Sequence, residues 1–274
     1  MRPLRSAAAL CLLGGITAPA GAAPQPVKAA VLRSTGTLYL NQTIWRELNS
    51  GWSQFGETPV QIDYTSLAGY GLTLDRIAAT QVDVLIFSTP GYLRHTDKEI
   101  NAIIQYVVAG HGLIITYDDF LWNRKALAPL VGLSTDLLLG TGTWDPFSFE
   151  LLVPGHPLFA RVAKPYATGV PFMIFPQMQS GGWRIGTGQV LARATPHSHQ
   201  FTSEGIIVAN DAGAYRGVYF AHYIEDKSEG ANQQDMQVFY NALVWAGTPE
   251  PGSGLLLLAG CGVLIARRRR RWSA

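Results

Sequence analysis

VDVLIFSTPGYLRHTDKEINAIIQYVVAGHGLIIT, residues 82–116, reads as strand, helix, strand. Val82-Asp83-Val84-Leu85-Ile86-Phe87 predicts a strand, apolar without outward polar alternation from Val84 on, the pattern of burial on both faces. Thr96 followed three residues later by Glu99 is a capping box and predicts a helix start. Ile100, Ile103, Ile104 and Val107 recur at helical spacing to form its buried stripe, and Gly110 predicts its end. Leu113-Ile114-Ile115-Thr116 then repeats the buried-strand pattern.

The same alternation extends outward. Residues 27–32 predict a first strand, and residues 38–55 a helix through Leu40, Ile44, Leu48 and Trp52. Residues 60–62 predict a second strand, and a further helix runs through Leu127 and Leu130. Strands apolar on both faces and alternating with helices predict an α/β domain around a parallel sheet covered on both sides. From residue 147 on, shorter strands are expected at 147–153, 172–175, 189–194, 206–209 and 218–221. Gly181-Gly182 and Asp211-Ala212-Gly213 mark tight connections among them. A closing helix over 233–245 places Met236, Phe239, Tyr240, Leu243 and Val244 on one broad face.

The order of these segments resembles the class I glutamine amidotransferase-like superfamily. Asp83 to Phe87, the Ile-rich helix and Ala109-Gly110-His111-Gly112-Leu113-Ile114-Ile115 carry the resemblance in the first half. Gly155-His156-Pro157-Leu158-Phe159 is similar to a segment of its carbohydrate-associated, trehalose-utilisation-type branches. Arg216-Gly217-Val218-Tyr219-Phe220 and Asn241-Ala242-Leu243-Val244-Trp245 resemble their closing elements. The resemblance spans most of residues 27–246 and implies a flavodoxin-like three-layer sandwich. In the true amidotransferases a cysteine occupies the turn after the fourth strand. Here that turn reads Thr116-Tyr117-Asp118-Asp119-Phe120, so glutaminase chemistry has no nucleophile.

Ligands of open α/β sheets bind beyond the carboxyl ends of the strands. The loops expected there, residues 34–39, 64–71, 88–95 and 117–123, hold Tyr39, Tyr64, Tyr70, Tyr92, Tyr117, Phe120 and Trp122. Tyr92, Tyr117, Trp122 and Asn123 are candidate ligand-binding residues, rings for sugar faces beside a hydrogen-bonding amide. The plainer alternative is that the rings cover the sheet end. Candidate catalytic residues are Asp118 and Asp119, with His222 or Glu225 supplied by the loop after the 218–221 strand. A glycosidase would need two such carboxyls roughly 5 to 10 Å apart. Helix capping and a solvated acidic loop are the structural alternative. His197 and His199 would share a face on a strand, but no third ligand has a recognisable spacing and a turn with exposed imidazoles is the better reading, so no metal and no cofactor is expected. His95, His111 and His156 read as loop or turn residues.

The termini are read as addresses. Arg2 and Arg5, the apolar stretch 7–16 and Ala20-Gly21-Ala22 predict a signal peptide over residues 1–22. Residues 249–274 resemble the PEP-CTERM sorting signal of Gram-negative bacteria that make extracellular polysaccharide. They comprise Pro249-Glu250-Pro251, an apolar run from Gly254 to Ala266, and Arg267, Arg268, Arg269, Arg270 and Arg271. The resemblance implies a membrane transpeptidase partner, exosortase, and release to the cell surface after a transient stay in the inner membrane. The apolar run is short for a comfortable span of roughly 20 residues, and the arginines suit the cytoplasmic side.

Between these ends, residues 23–248 form the expected amidotransferase-like domain, with 14 Lys and Arg against 18 acids. The chain's formal charge of +2 therefore comes from its termini, and a basic nucleic-acid face is not expected. Both cysteines, Cys11 and Cys261, also lie outside the domain, so no disulfide or thiolate chemistry is expected in it. The function expected is a surface or matrix protein whose non-catalytic domain binds a glycan, such as extracellular polysaccharide, or a partner. The alternative is a polysaccharide-directed hydrolase using Asp118 or Asp119 with His222 or Glu225.

Overall fold

The computed structural model describes residues 24–32, 44–87, 95–116, 125–135, 142–143, 147–170, 173–174, 186–196, 203–222, 224–225, 227 and 230–248. The elements in chain order are β1 (Val27–Leu32), α1 (Trp45–Gly51), β2 (Val60–Asp63), α2 (Leu74–Ala78), β3 (Val84–Phe87), α3 (Asp97–Val108) and β4 (Gly112–Thr116). Then follow β5 (Gly142–Thr143), β6 (Phe147–Leu151), β7 (Met173–Ile174), β8 (Gln189–Pro196), β9 (Ser203–Asp211), β10 (Arg216–Phe220) and α4 (Gln233–Gly247).

Among the described residues, eight strands form one mixed sheet in the order β2-β1-β3-β4-β10-β9-β8-β6. The pairs from β2 to β10 are parallel, with Ala29 opposite Val84, Leu85 opposite Leu113 and Phe220 opposite Thr116. From β10 onward the pairs are antiparallel. The sheet is therefore parallel only over its first five strands, where the apolar runs had implied a parallel sheet. The reason is local: β9 and β10 are joined by four residues, 212–215, too few for a crossover, so the chain turns straight back. Gly213 takes φ +78° in that turn, and its N–H donates to Asp211 at 3.2 Å.

The uninterrupted apolar runs are buried as expected. Every residue of β3, β4 and β10 is buried, as is every residue of β1 except Lys28. Right-handed crossovers put α1 on one face and α2 and α3 on the other, because β1-to-β2 and β2-to-β3 run in opposite directions along the sheet. The last helix, α4, joins α1, and the Trp45 ring meets Phe239 at 5.2 Å. Helices thus flank a central mixed sheet, consistent with the flavodoxin-like arrangement. Each core side chain of Leu, Ile or Phe size adds roughly 1.5–3 kcal/mol by burial.

Two helices differ from the sequence expectation. Over 38–55 the described part begins at residue 44, and the α-helix stops at Gly51, whose φ −128° and ψ 17° leave the helical path; a 3₁₀ turn, Trp52–Gln54, finishes it. The helix through Leu127 and Leu130 is a 3₁₀ segment, Lys125–Val131, with Pro129 inside. Proline has no N–H to continue an α-helical ladder. The five-residue α2, capped by Thr73, is too short to show a periodicity.

Among the described residues β2 is an edge strand, and Asn49 blunts that edge. Its amide nitrogen donates to the Ile62 carbonyl at 2.9 Å, and its oxygen accepts from the Ile62 N–H at 2.7 Å. A side chain standing in for a strand discourages edge-to-edge pairing. No helix among the described residues is long and apolar enough to cross a membrane. The signal peptide and the Pro-Glu-Pro tail lie outside the described residues.

Candidate functional site

The carboxyl ends of the parallel strands meet at Thr116, Phe220 and Phe87, the last residues of β4, β10 and β3. His222 follows β10 and is fully buried, its ring edge-on to Phe149 at 5.4 Å and to Phe220 at 5.9 Å. Among the described residues neither of its ring nitrogens has a hydrogen-bond partner. Burial pushes its pKa down to about 3, so the imidazole is neutral at any physiological pH. The Ile224 N–H donates to the His222 carbonyl at 2.8 Å, a tight turn that carries the chain to Glu225.

Glu225 is 1% exposed and accepts a short hydrogen bond from the Thr116 hydroxyl. Its carbonyl accepts from the Ile44 N–H at 3.1 Å, tying the start of α1 to the same corner. The fold thus brings Glu225 to Thr116, two positions before Asp118, and seals His222 behind aromatic rings. Asp118, Asp119, Tyr92, Tyr117, Trp122 and Asn123 lie outside the described residues, as do His197 and His199. Among the described residues no group of three or more His, Cys, Asp or Glu could hold a metal ion.

One rim loop, residues 64–72, is held by side chains that sequence spacing did not single out. The Arg76 guanidinium, on α2, donates to the carbonyls of Ser66 and Ala68 at 2.9 Å and of Tyr70 at 3.0 Å. Asp63, at the end of β2, accepts from the Thr65 N–H at 2.8 Å and the Ser66 N–H at 3.0 Å. Burial raises the Asp63 pKa, but its hydrogen bonds to Ser66 and Thr65 outweigh that and hold it low. The loop presents Tyr70 to solvent at 67% exposure. The only sequence trace of this clamp is the capping-box glutamate, which does more than cap.

Glu99 is 4% exposed. One carboxylate oxygen accepts from the Thr96 N–H at 2.7 Å, completing the expected capping box, while the other accepts from Gly71 at 2.7 Å and Leu72 at 3.0 Å. His95 stands 3.8 Å away and packs against Phe87. Burial raises the Glu99 pKa, but the hydrogen bonds from Thr96, Leu72 and Gly71 outweigh it and keep it below its ordinary value. Glu99 therefore adds stability above the unfolded carboxyl's pKa near 4.3, and this is lost as pH falls through the lower folded value. Glu99→Gln is expected to cost about 1–3 kcal/mol at pH 7, since one oxygen's donors lose their acceptor. The gap to wild type should shrink below about pH 4. Urea titrations at pH 7 and pH 3 check this, and an equal gap at both would count against the ionised clamp.

His111 and His156 hold local structure. His111 stacks on Tyr106 at 3.9 Å, and His156 accepts from the Leu158 N–H at 3.3 Å to cap the 3₁₀ turn Pro157–Phe159.

No protein-family model matches the chain, and no curated protein matches it. Solved structures do match its fold. A ThuA-like protein from Bacteroides uniformis superposes with a TM-score of 0.55 at 16% identity, covering 83% of this chain and 94% of that one. A cytoplasmic protein from Salmonella typhimurium gives 0.52 at 13% identity, covering 80% and 98%. A second ThuA-like protein, from Parabacteroides merdae, gives 0.50 at 12% identity, covering 81% and 90%. The chain shares the overall fold of ThuA-like proteins.

Proposed function

We propose that this is an exported protein, delivered to a Gram-negative cell surface through exosortase processing of its tail. Its domain works there as a non-catalytic binding module for a glycan or a partner, at the carboxyl edge of the sheet. The observation that carries the non-catalytic reading is the burial of His222. An imidazole with no exposure, a pKa near 3 and aromatic walls is a poor proton carrier for a solvent-borne substrate. The absence of cysteine or serine from Thr116 to Phe120 supports the same reading. The aromatic rim, with Tyr92, Tyr117, Trp122 and Asn123, is the proposed contact surface, and the rigid loop bearing Tyr70 belongs to it.

The hydrolase alternative draws on one observation, the bond between Glu225 and Thr116, which ties a carboxylate to a residue two positions before Asp118. Glu225 is itself sealed, so that route would need the corner to open.

One experiment addresses both halves of the proposal. Wild type and a variant with alanine at Pro249, Glu250 and Pro251 are expressed in the producing cell, and released protein is applied to a glycan array. Wild type is expected in the released fraction and the alanine variant in the membrane. Tyr92→Ala combined with Trp122→Ala is expected to lower array binding at least tenfold. Full release of the alanine variant would remove the sorting half, and undiminished binding by the double variant would remove the aromatic platform.

A further inference from the structure

Both ends of the domain leave it from one edge. Val27, Val84 and Gly112 are the first residues of the parallel strands β1, β3 and β4. The end of α4 lies directly beneath them. A Cβ on Gly247 would come 2.5 Å from Val27 and 3.0 Å from Val84, and one on Gly112 would come 2.6 Å from the Ala246 carbonyl.

Arg216, the first residue of β10, latches that end in place. Its guanidinium donates to the carbonyls of Trp245 at 3.2 Å and Thr248 at 2.8 Å, lies over the Trp245 ring at 5.0 Å, and pairs with Asp211 at 3.1 Å. Cations at a helix carboxyl end satisfy its last carbonyls and oppose its dipole. Thr248 is therefore part of the folded domain, and Pro249 follows it directly.

Only residues 249–253 separate Thr248 from the apolar run that begins at Gly254. Five residues reach at most about 18 Å. An apolar run of 13 residues ended by five arginines partitions into a bilayer and holds anionic headgroups. We propose that, while this tail is inserted, the domain stands on the bilayer on the amino-terminal edge of its strands. The carboxyl edge, with Thr116, Glu225 and the Tyr70 loop, then points away from the lipid towards arriving polymer. The edge set against the lipid carries exposed Val108 at the end of α3, and exposed Ala109, Ala212, Gly213 and Ala214 in its turns. Its charges include exposed Lys28, Glu57 and Asp211; Arg216 pairs with Asp211, and the Asp83 carboxylate accepts from the Lys28 N–H.

This orientation rests on reading the tail as a membrane segment, and it is independent of glycan binding, which the domain without its tail can show. The domain contains no cysteine, so Cys11→Ala with Cys261→Ala gives a background in which one introduced thiol is unique. Full-length protein carrying a fluorophore at Ala214→Cys or at Tyr70→Cys is reconstituted into phosphatidylcholine–phosphatidylglycerol vesicles containing headgroup nitroxide lipid. Quenching at position 214 is expected to exceed that at position 70 by at least threefold. A 30-residue Gly-Ser insertion between Thr248 and Pro249 is expected to erase the difference. Protein that floats with the vesicles but is quenched equally at both positions, or more at position 70, overturns the orientation. Protein that fails to float overturns its premise, and glycan binding by the tail-less domain is untouched by either result.

Discussion

Asp235→Ala is expected to lower the domain's stability by about 3–5 kcal/mol, because it strands a set of buried donors. Asp235 is fully buried in the first turn of α4. Its carboxylate accepts from the Asn232 N–H and the Gly169 N–H, both at 2.9 Å, and from the Tyr166 hydroxyl by a short bond. One side chain thereby completes a capping box and pins residues 166–169 to the helix that supports the sheet's central face. Burial raises its pKa, and the hydrogen bonds only partly offset this. Alanine removes the carboxylate but leaves two N–H groups and a buried phenol without their acceptor. The milder Asp235→Asn should recover part of the loss, since one acceptor oxygen remains. Urea unfolding at neutral pH measures both variants, and a loss below about 1 kcal/mol for alanine would show that water readily replaces the carboxylate.

The second large effect is steric. Gly132 sits at φ +83°, and a Cβ there would lie 2.3 Å from the Gly188 Cα and 2.7 Å from its nitrogen. Its carbonyl accepts from the N–H groups of Gly186 at 2.9 Å and Gly188 at 3.1 Å, so the two backbones cannot part without losing those bonds. Asn210 reinforces the same corner, its amide donating to the Pro129 and Leu130 carbonyls at 3.1 Å. The left-handed backbone alone costs a non-glycine residue about 1–2 kcal/mol. With a backbone clash added, Gly132→Ala is expected to cost at least about 3 kcal/mol and to lower the melting temperature by about 6–12 °C for a domain of this size. Gly155→Ala is the matched control, since a Cβ there meets nothing within 4 Å. It should melt within about 1 °C of wild type. Similar melting of the two variants would sink the close-approach argument.

These contrasts show what residue patterns carry and what they do not. The capping box at Thr96 and Glu99 and the buried runs at 27–32, 84–87 and 113–116 are legible because local hydrogen bonding and burial on both faces leave short-range signatures. The direction of strands β9, β8 and β6 is not, because an apolar run looks the same whether its neighbour is parallel or antiparallel. The 3₁₀ segment Lys125–Val131 is masked by its apolar spacing, although Pro129 marks it. At the candidate site, residue type and position in the loop after β10 pick out His222 and Glu225. Their complete burial follows from Phe149, Phe220, Thr116 and Ile44, contributed by distant elements. Arg76 carries no signal at all, since its partners are backbone carbonyls, which every residue possesses.

The amino-acid sequence by itself determined the α/β class, the burial of the central strands, the capping box at Thr96 and Glu99, and the cysteine-free, mildly acidic character of residues 23–248. Each depends on composition or on residues a few positions apart. Only the tertiary structure decided that His222 is walled off, that Glu99 holds the loop across from its own helix, and that Arg216 locks the last turn of α4 beside the first residues of β1 and β3. Those facts depend on which distant surfaces meet. Burial and hydrogen-bond satisfaction select that meeting over the whole domain at once, so no local window of sequence contains it.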